Sequence, residues 1–307
     1  MNNTPIVKLL SNCPLCNSNN SFPIKHERNF FPDNAHDECR SFNSTWVTLM
    51  KCKVCTFRYT QEIPTSKTFF KNRYDNAWFD PDHEIKHIRK SEIIDDIFKN
   101  FNLKKSNSKN KLLDVGSFSG KLLYLAEKEG YEPYGVEVNP KLAKYCNEKL
   151  NYKVWCSEFQ ELDLPADFFN FITIIDVLEH LIEPKKVLQN LYNCLSVEGY
   201  LYIKVPNAPM QIIKQNIANL LKISDQGVFA TFGHINHFNV KSLSEVLVGN
   251  GFKVESIRMS RSEKWQGERK FSNIRNILRD CYYIASNLVF KFTKIPIGLN
   301  LIIVAKK

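Results

Sequence analysis

Two Cys-x-x-Cys pairs are the first groups of the 307-residue chain whose type and spacing could do chemistry: Cys13 with Cys16, and Cys52 with Cys55. Such a turn presents both thiolates on one side, and two turns can complete a tetrahedral zinc site with Zn–S distances of about 2.3 Å. Because four thiolates leave no open coordination position, this site is predicted to be structural rather than catalytic. The other five cysteines are interpreted as core residues: Cys39, Cys146, Cys156, Cys194 and Cys281.

A second group surrounds a glycine-containing turn between a predicted strand and a predicted helix. Gly116 and Gly120 belong to the run Leu-Leu-Asp-Val-Gly-Ser-Phe-Ser-Gly at residues 112–120. Glycines at these positions let the backbone approach a ligand closely and face it with the amides of a helix N-terminus. Glu137 lies 21 residues after Gly116, at the end of the next strand, where a carboxylate can accept both hydroxyls of a ribose. A solvated carboxylate at a strand end is the alternative.

The elements that must position these residues alternate between strand and helix patterns. Strand patterns occupy residues 111–115, 133–138, 152–156, 168–175, 200–205, 253–259 and 299–305. Helix patterns occupy residues 85–101, 121–129, 140–150, 184–195 and 242–250. This alternation predicts an α/β fold built on a doubly wound, mostly parallel seven-stranded sheet.

The net charge of +10 is concentrated near the C-terminus, since residues 258–307 contain eleven Lys or Arg against three acidic residues. The sequence therefore predicts a local basic surface, and we do not expect a nucleic-acid partner. An apolar helical stripe runs through the same region. We interpret it as a helix packed on the sheet or across a homodimer. A cover over a phosphate-bearing substrate and a peripheral contact with anionic membrane are the alternatives.

Composition divides the chain into a cysteine-rich unit, residues 1–80, and an α/β unit, residues 84–307. Within the second unit, residues 207–238 are predicted to form a lid or insertion, because connections of this length are usually functional. Residues 261–296 are predicted to be a basic helical insertion before the last strand. No run approaches the ~20 apolar residues that a transmembrane helix needs, and no export signal is visible, so we expect a cytoplasmic location.

Four segments of the second unit resemble the successive motifs of class I S-adenosylmethionine-dependent methyltransferases. They are Leu-Leu-Asp-Val-Gly at 112–116, Gly-Val-Glu at 135–137, Ile-Asp-Val-Leu-Glu-His-Leu at 175–181 and Val-Pro-Asn at 205–207. The resemblance implies the Rossmann-like methyltransferase fold, whose closing antiparallel strand would be residues 299–305. A zinc ribbon before such a domain is similar to methyltransferases that act on sugars and surface polysaccharides.

The resemblance also implies S-adenosyl-L-methionine as cofactor and a set of residues that would hold it. It places Asp114, Gly116, Phe118 and Gly120 around the methionine end, Glu137 at the ribose, Glu158 and Phe159 near the adenine, and Asp176 and Val177 beside the sulfonium. Phe118 stands where the family usually has its middle glycine. Ser157 is an alternative to Glu158 at the adenine.

A hydroxyl acceptor requires a group that removes its proton, and histidine suits this role. The candidates are His237, His180 and then His234, which lie in the predicted lid or in the motif at 175–181. A capping or core role is the alternative for each of them.

The favoured function is methyl transfer to a sugar hydroxyl of a nucleotide sugar or surface glycan. A sugar C-methyltransferase usually carries a further C-terminal domain, for which we expect no room here. An RNA methyltransferase is also an alternative, although Asp-Val-Leu-Glu at 176–179 is not the Asn-Pro-Pro-aromatic pattern of amino-group methylation. The third alternative is a binding module that keeps the fold without turnover.

Overall fold

The computed structural model describes residues 7–29, 37–43, 45–65, 69, 97, 110–222, 233–261 and 272–307. The predicted helix at 85–101 lies outside these residues, apart from Ile97, which is helical and buried. In the N-terminal unit the elements are β1 (Val7–Leu9), β2 (Ser21–Arg28), α1 (Asp37–Arg40), β3 (Trp46–Cys52), β4 (Arg58–Thr60) and β5 (Glu62–Pro64).

The second unit alternates strands with helices, as the sequence predicts. Its first elements are β6 (Lys111–Val115), α2 (Lys121–Lys128), β7 (Glu132–Val136), α3 (Pro140–Glu148), β8 (Lys153–Trp155), β9 (Phe169–Ile175) and α4 (Pro184–Cys194). They are followed by β10 (Leu195–Pro206), α5 (Ala208–Leu220), β11 (Asn236–His237), α6 (Val240–Gly249), β12 (Lys253–Met259), α7 (Ser272–Thr293) and β13 (Asn300–Lys306).

Seven of these strands form one sheet in the order β12-β13-β10-β9-β6-β7-β8. Strand β13 runs antiparallel to both of its neighbours, while the pairs from β10 to β8 are parallel. The predicted α/β fold, with its doubly wound, mostly parallel sheet and closing antiparallel strand, is confirmed. Because the carboxyl ends of β6, β7, β8 and β9 meet at one edge, the loops after them lie together there.

Both faces of this sheet are buried, which explains its continuous apolar strands. Leu112 and Phe171, neighbours on β6 and β9, belong to one hydrophobic cluster, whereas the next pair, Leu113 and Ile172, belongs to another. Successive side chains of a strand point to opposite faces, so alternate residues enter different clusters. The alternation along each strand therefore determines on which face of the sheet each apolar side chain packs.

Two helices, α3 and α6, begin directly after an asparagine that caps them. The side chain of Asn139 accepts hydrogen bonds from the amides of Lys141 and Leu142, and Pro140 occupies the first position of α3. Asn239 caps α6 in the same way, in a reciprocal capping box with Ser242. Helix α6 therefore begins two residues earlier than the sequence pattern predicts.

The N-terminal unit differs most from its sequence-based description, since a segment without clear periodicity forms a four-stranded antiparallel sheet. Its order is β11-β4-β3-β2, so its edge strand comes from residues 236–237 of the second unit. Phe57 is fully buried, and its ring lies 5.0 Å from that of Phe238. The two units are thus joined by a shared sheet and a shared core.

The predicted lid at 207–238 contains a helix that the sequence analysis missed. Helix α5 begins directly after β10, and its large apolar side chains Ile213, Ile217 and Leu220 are exposed. A helix that packs on a core is recognised by apolar residues on its buried face. In α5 these apolar residues are exposed, so the usual pattern does not identify the helix. Residues 223–232 of the predicted lid lie outside the described ranges.

Helix α7 forms within the basic insertion predicted at 261–296. Asn287 attaches it to the end of β12, because its side chain exchanges hydrogen bonds with the backbone of Met259 at 3.0 and 3.2 Å. The helix therefore packs against the sheet edge, as one interpretation of the sequence holds. Its apolar stripe faces outwards at Ile274, Ile277, Leu278, Ile284, Leu288 and Phe292. Within the described part of the chain, no helix is long and apolar enough to cross a bilayer.

The five cysteines outside the pairs divide into two groups. Cys39, Cys146 and Cys194 are buried, as predicted for core residues, whereas Cys156 and Cys281 are exposed. The prediction was wrong for the last two, because Cys156 follows the short strand β8 and Cys281 lies on the outward face of α7.

The turn after β6 supplies a test of the fold. Gly116 has φ +82°, and a Cβ there would lie 2.4 Å from Val177 Cγ2, whereas Gly130 has φ +92° and open space around it. We expect Gly116→Ala to lower the free energy of unfolding by roughly 2–4 kcal/mol and Gly130→Ala by about 1 kcal/mol, as measured by urea denaturation. Adding Val177→Ala should restore part of the free energy of unfolding lost in Gly116→Ala, but none of that lost in Gly130→Ala. Equal losses for the two glycine variants would contradict the steric argument.

Candidate active site

A cavity of about 310 Å³ opens at the sheet edge where β6, β7, β8 and β9 end. It is lined by Val115, Gly116, Phe118, Val136, Glu137, Val138, Ser157, Glu158, Phe159, Gln160, Ile175, Asp176, Val177, His180, Leu181 and Ile182. Seven of the nine predicted cofactor-binding residues are in this lining; Asp114 and Gly120 are not. The structure thus brings residues of three of the four sequence motifs, together with the segment after β8, to one cavity.

Left-handed backbone shapes the turn that forms one wall of the cavity. Gly116, Phe118 and Gly120 have φ values of +82°, +49° and +79°. A glycine adopts this conformation without steric cost, whereas a residue with a Cβ is disfavoured by about 1–2 kcal/mol. Phe118 therefore occupies a position whose backbone conformation suits glycine, and its partly exposed ring lines the cavity.

Asp114 and Gly120 support this turn from behind rather than lining the cavity. The Asp114 carboxylate is buried and accepts a 2.6 Å hydrogen bond from the Thr173 hydroxyl of β9. Burial raises the pKa of Asp114 to about 7, and the nearby Glu137 carboxylate acts in the same direction. At Gly120 a Cβ would lie 3.0 Å from Cys146 Sγ, so the glycine lets α2 pack closely on α3.

Glu137 is held in a fixed orientation at the end of β7. Its Oε2 accepts the amide of Phe118 at 2.9 Å and its Oε1 accepts the amide of Asn139 at 2.8 Å. Burial raises the pKa of Glu137, while these backbone donors oppose the rise. Because each carboxylate oxygen can accept two hydrogen bonds, the group retains capacity for two donors from a ligand.

The opposite end of the cavity is formed by the segment after β8. Ser157, Glu158, Phe159 and Gln160 all line it, and the Gln160 side-chain amide donates to the Glu158 carboxylate. Phe159 is buried and presents an aromatic ring. The sequence left Ser157 and Glu158 open as the polar group at this position, and the structure places both on the wall.

Asp176 is fixed by a lysine that the sequence analysis missed. The Lys204 side chain of β10 is 6% exposed and forms an ion pair with the Asp176 carboxylate, while the Asp176 amide donates to the Lys204 carbonyl at 3.0 Å. Asp176 has φ +54°, a conformation that Asp tolerates better than most residues. A lysine within an otherwise apolar strand is the signal that could have identified this pair.

The three candidate histidines lie in different environments. His180 lines the cavity, its Nδ1 contacts the Gly233 carbonyl, and its ring lies 4.7 Å from the ring of His234. His237 is 5% exposed, is absent from the cavity lining and belongs to β11. Burial lowers the pKa of His237 well below 6.5, and the neighbouring His234 and Arg58 act in the same direction, so its ring is neutral at pH 7.

Glu179, a buried carboxylate absent from the predicted site, accompanies two of these histidines. One ligand atom each from Glu179, His180 and His234 lies within 4.8 Å of the others. A carboxylate with two imidazoles can hold a divalent metal, and the same carboxylate can stabilise a protonated imidazole. The position of Glu179, directly before His180 in the motif at 175–181, is the sequence signal that could have identified it as a site residue.

The four cysteines of the two pairs converge in the N-terminal unit. Cys13 Sγ lies 3.7 Å from Cys55 Sγ, and Cys16 Sγ lies 3.6 Å from Cys52 Sγ. Four sulfur atoms bound to one zinc ion at about 2.3 Å would be about 3.8 Å apart in a tetrahedron, so the observed spacing fits that ion. Asn17 and Thr56, each directly after the second cysteine of its pair, have φ values of +59° and +61°, so the two turns end alike.

Comparison with known proteins identifies the family to which these features correspond. A family model described as "Methyltransferase domain" matches residues 71–257. The chain is 24% identical over 243 residues to a mitochondrial ubiquinone biosynthesis O-methyltransferase of Rattus norvegicus, a match that covers 71% of this chain and 70% of the rat protein. The Mus musculus protein of that name is also 24% identical, with 64% of its length covered, and that of Coxiella burnetii is 27% identical over 101 residues, which is 43% of its length.

Solved structures of methyltransferases are also similar to the chain. One from Archaeoglobus fulgidus is 20% identical, with a TM-score of 0.46, and the match covers 70% of this chain and 93% of that one. One from Methanosarcina mazei is 15% identical, with a TM-score of 0.48, 69% of this chain and 96% of that one being covered.

The Glu137 carboxylate gives a direct test of ligand binding in the cavity. Glu137→Gln keeps the size of the side chain but removes its charge and turns an amide NH₂ towards a backbone N–H donor. We expect affinity for S-adenosylhomocysteine to fall by about tenfold or more, measured by titration calorimetry, because the charged acceptor that the sequence predicts for the ribose hydroxyls is lost. Because burial raises the Glu137 pKa, wild-type affinity should also fall at low pH, starting above pH 4.5.

Glu132→Gln is the matched control, since Glu132 begins the strand β7 that Glu137 follows but is not in the cavity lining. It should leave the affinity unchanged. Unchanged affinity in Glu137→Gln as well would exclude Glu137 as a ligand-binding group.

Proposed function

Because the chain belongs to the class I S-adenosylmethionine-dependent methyltransferases, we propose that it methylates a hydroxyl group of a small acceptor and that His180 accepts the proton. The bound cofactor supplies an electrophilic methyl group on its sulfonium. The residues of this chain must then hold the cofactor, orient the acceptor and take up its proton.

The charge of the cavity wall supports a cationic cofactor. Glu137, Glu158 and Asp176 bring three carboxyl groups to the lining, and Lys204 pairs with only the last of them. Such a wall attracts a sulfonium and an ammonium group and repels a polyanion. It also supports a small hydroxyl compound over a nucleic acid as acceptor.

The position of Glu137 supports the assignment of the ribose site. Its carboxylate is pre-oriented by two backbone amides, with remaining acceptor capacity for two hydroxyls. Phe159 and the polar side chains around it form the end of the cavity that would hold the adenine, and the turn at Gly116 would lie against the methionine end.

The contact of His180 with the Gly233 carbonyl is the observation that carries the catalytic assignment. A carbonyl oxygen can only accept, so Nδ1 must carry the proton and donate it, which leaves Nε2 as the ring's basic atom. The carbonyl and the buried Glu179 carboxylate would stabilise the imidazolium that forms on proton uptake. His237 fits the role less well, because burial disfavours its charged form and it is not in the cavity lining.

Replacing His180 tests this assignment. We expect His180→Gln to reduce kcat by about 10²–10⁴ while S-adenosylhomocysteine still binds, because general-base catalysis contributes to the chemical step. Release of S-adenosylhomocysteine measures turnover. His26→Gln, at an exposed position of β2, is the matched control and should retain full activity. A fully active His180→Gln enzyme would exclude His180 as the base.

We propose a sugar as the acceptor, on a nucleotide sugar or a surface glycan. This proposal is supported by the resemblance to sugar methyltransferases with an N-terminal ribbon, whereas the curated relatives carry names from ubiquinone biosynthesis and support O-methylation. A panel of nucleotide sugars, lipid-linked glycans, intermediates of ubiquinone biosynthesis and RNA separates the candidates. Turnover only with the ubiquinone intermediates or with RNA would contradict the sugar proposal. The atom that carries the new methyl group distinguishes O- from C-methylation.

We also propose that Cys13, Cys16, Cys52 and Cys55 hold a structural zinc ion, which the sulfur spacing supports. The chain as purified should then contain one zinc per molecule by elemental analysis. Cys55→Ser should abolish this zinc, whereas Cys194→Ser, at a buried cysteine of α4, should retain it. Absence of zinc from the unaltered protein, even after reconstitution under reducing conditions, would contradict the proposal.

A further inference from the structure

The segment 233–239 lies between the cysteine cluster and the wall of the cavity, and it contacts both. On the side of the cluster, β11 pairs with β4, so that Asn236 faces Tyr59 and His237 faces Arg58. The Thr60 amide donates to the Ile235 carbonyl at 2.9 Å. The segment is therefore held to the strand that directly follows the second cysteine pair.

Side chains strengthen this attachment next to the cysteines. The Asn239 side-chain amide donates to the carbonyl and the hydroxyl of Thr56, at 3.1 and 3.3 Å, and Thr56 directly follows Cys55. Phe57 packs its fully buried ring on Phe238. Both contacts depend on the conformation of the turn that ends at Thr56, which has φ +61°.

On its other side, the same segment holds the loop that lines the cavity. The Asn236 side-chain amide donates to the carbonyls of Leu178 and Leu181 at 3.2 and 2.5 Å, and the Ile235 amide donates to the Glu179 carbonyl at 3.0 Å. His180, Leu181 and Ile182 of this loop lie in the cavity lining. Hydrogen bonds on both sides of the segment 233–239 thus connect the turn after Cys55 with the loop that carries the proposed base.

The groups expected to hold the cofactor are carried by different elements. Gly116, Phe118 and Glu137 belong to the turns after β6 and β7, and these turns are fixed by hydrogen bonds among themselves and by the packing of α2 on α3. The hydrogen bonds that orient Glu137 come from the amides of Phe118 and Asn139, within this half of the cavity. Within the described residues, the hydrogen-bonded attachment of the cysteine cluster therefore leads to the 178–182 loop, while Cys52 and Phe57 share an apolar core with Val115 and Val136.

From these contacts we propose that the metal-loaded turn 52–56 is a positioning element of the active site. Through β4 and β11 it fixes the 178–182 loop on the acceptor side of the cavity, and Asn239 is the positioning residue that joins it to the segment 233–239. This inference rests on the proposed function for the role of that loop, but its test does not require the acceptor to be known.

The first experiment compares the full zinc-loaded chain with the same chain after chelation, by hydrogen exchange and by binding of S-adenosylhomocysteine. Amides of 235–239 and 178–182 should exchange on the order of tenfold faster or more after chelation, since their hydrogen bonds open locally. Amides of 111–136 should keep their protection, and the affinity should stay within about threefold, because the hydrogen bonds that orient Glu137 come from Phe118 and Asn139 and not from residues 178–182 or 235–239.

A pair of matched substitutions separates the positioning role from a general folding role. Asn239→Asp retains an oxygen that caps α6 but loses the amide that donates to Thr56, so the zinc should stay bound while 235–239 and 178–182 lose protection. Cys194→Ser, outside the cluster, should keep the zinc and full protection.

Several outcomes would overturn the inference. One is unchanged exchange at 178–182 after chelation, and another is full protection in zinc-loaded Asn239→Asp. Loss of protection across 111–136 on chelation would also overturn it, because the metal would then support the whole fold. Failure of the zinc-loaded protein to bind S-adenosylhomocysteine would instead contradict the proposed function, so the two failures can be told apart.

Discussion

The close approach of the turn after β6 to the turn after β9 is the constraint on which the cavity depends. These strands are parallel neighbours, so their carboxyl ends meet at one edge, and the turns that follow must pass within van der Waals distance. At Gly116 a Cβ would lie 2.4 Å from Val177 Cγ2, which leaves space for no side chain there. The cavity can form because the turn after β6 has a glycine, with left-handed backbone, at the point of closest approach.

Electrostatics then gives this cavity its chemical character. The backbone amides of Phe118 and Asn139 orient the Glu137 carboxylate, while Lys204 fixes that of Asp176 from within the sheet. In a partly buried site, such fixed groups interact more strongly with a charged ligand than they would in water. The result is an acidic wall that favours a cationic ligand, with an imidazole at its edge.

The N-terminal unit is integrated with this site rather than attached to its surface. Its sheet takes its edge strand from residues 236–237, and its core continues through Phe57 into Phe238. This arrangement links a cluster of four thiolates to the loop that carries His180. A metal ion held by these cysteines, as proposed above, would thereby act on the geometry of a cavity in the neighbouring unit.

Short-range sequence patterns determine much of this architecture. The continuous apolar strands, the Asn139 cap, the glycines of the turn after β6 and the Cys-x-x-Cys spacing each act over a few residues. The fold class, most element boundaries of the second unit and the four-cysteine group could therefore be predicted from the sequence. The tertiary structure alone decided which histidine reaches the cavity, that Asp114 and Gly120 support the turn from behind, and that β11 completes the N-terminal sheet. These outcomes depend on contacts between residues far apart in the chain, such as His237 with Arg58 and Lys204 with Asp176, and no local pattern specifies which distant backbone a two-residue strand will join.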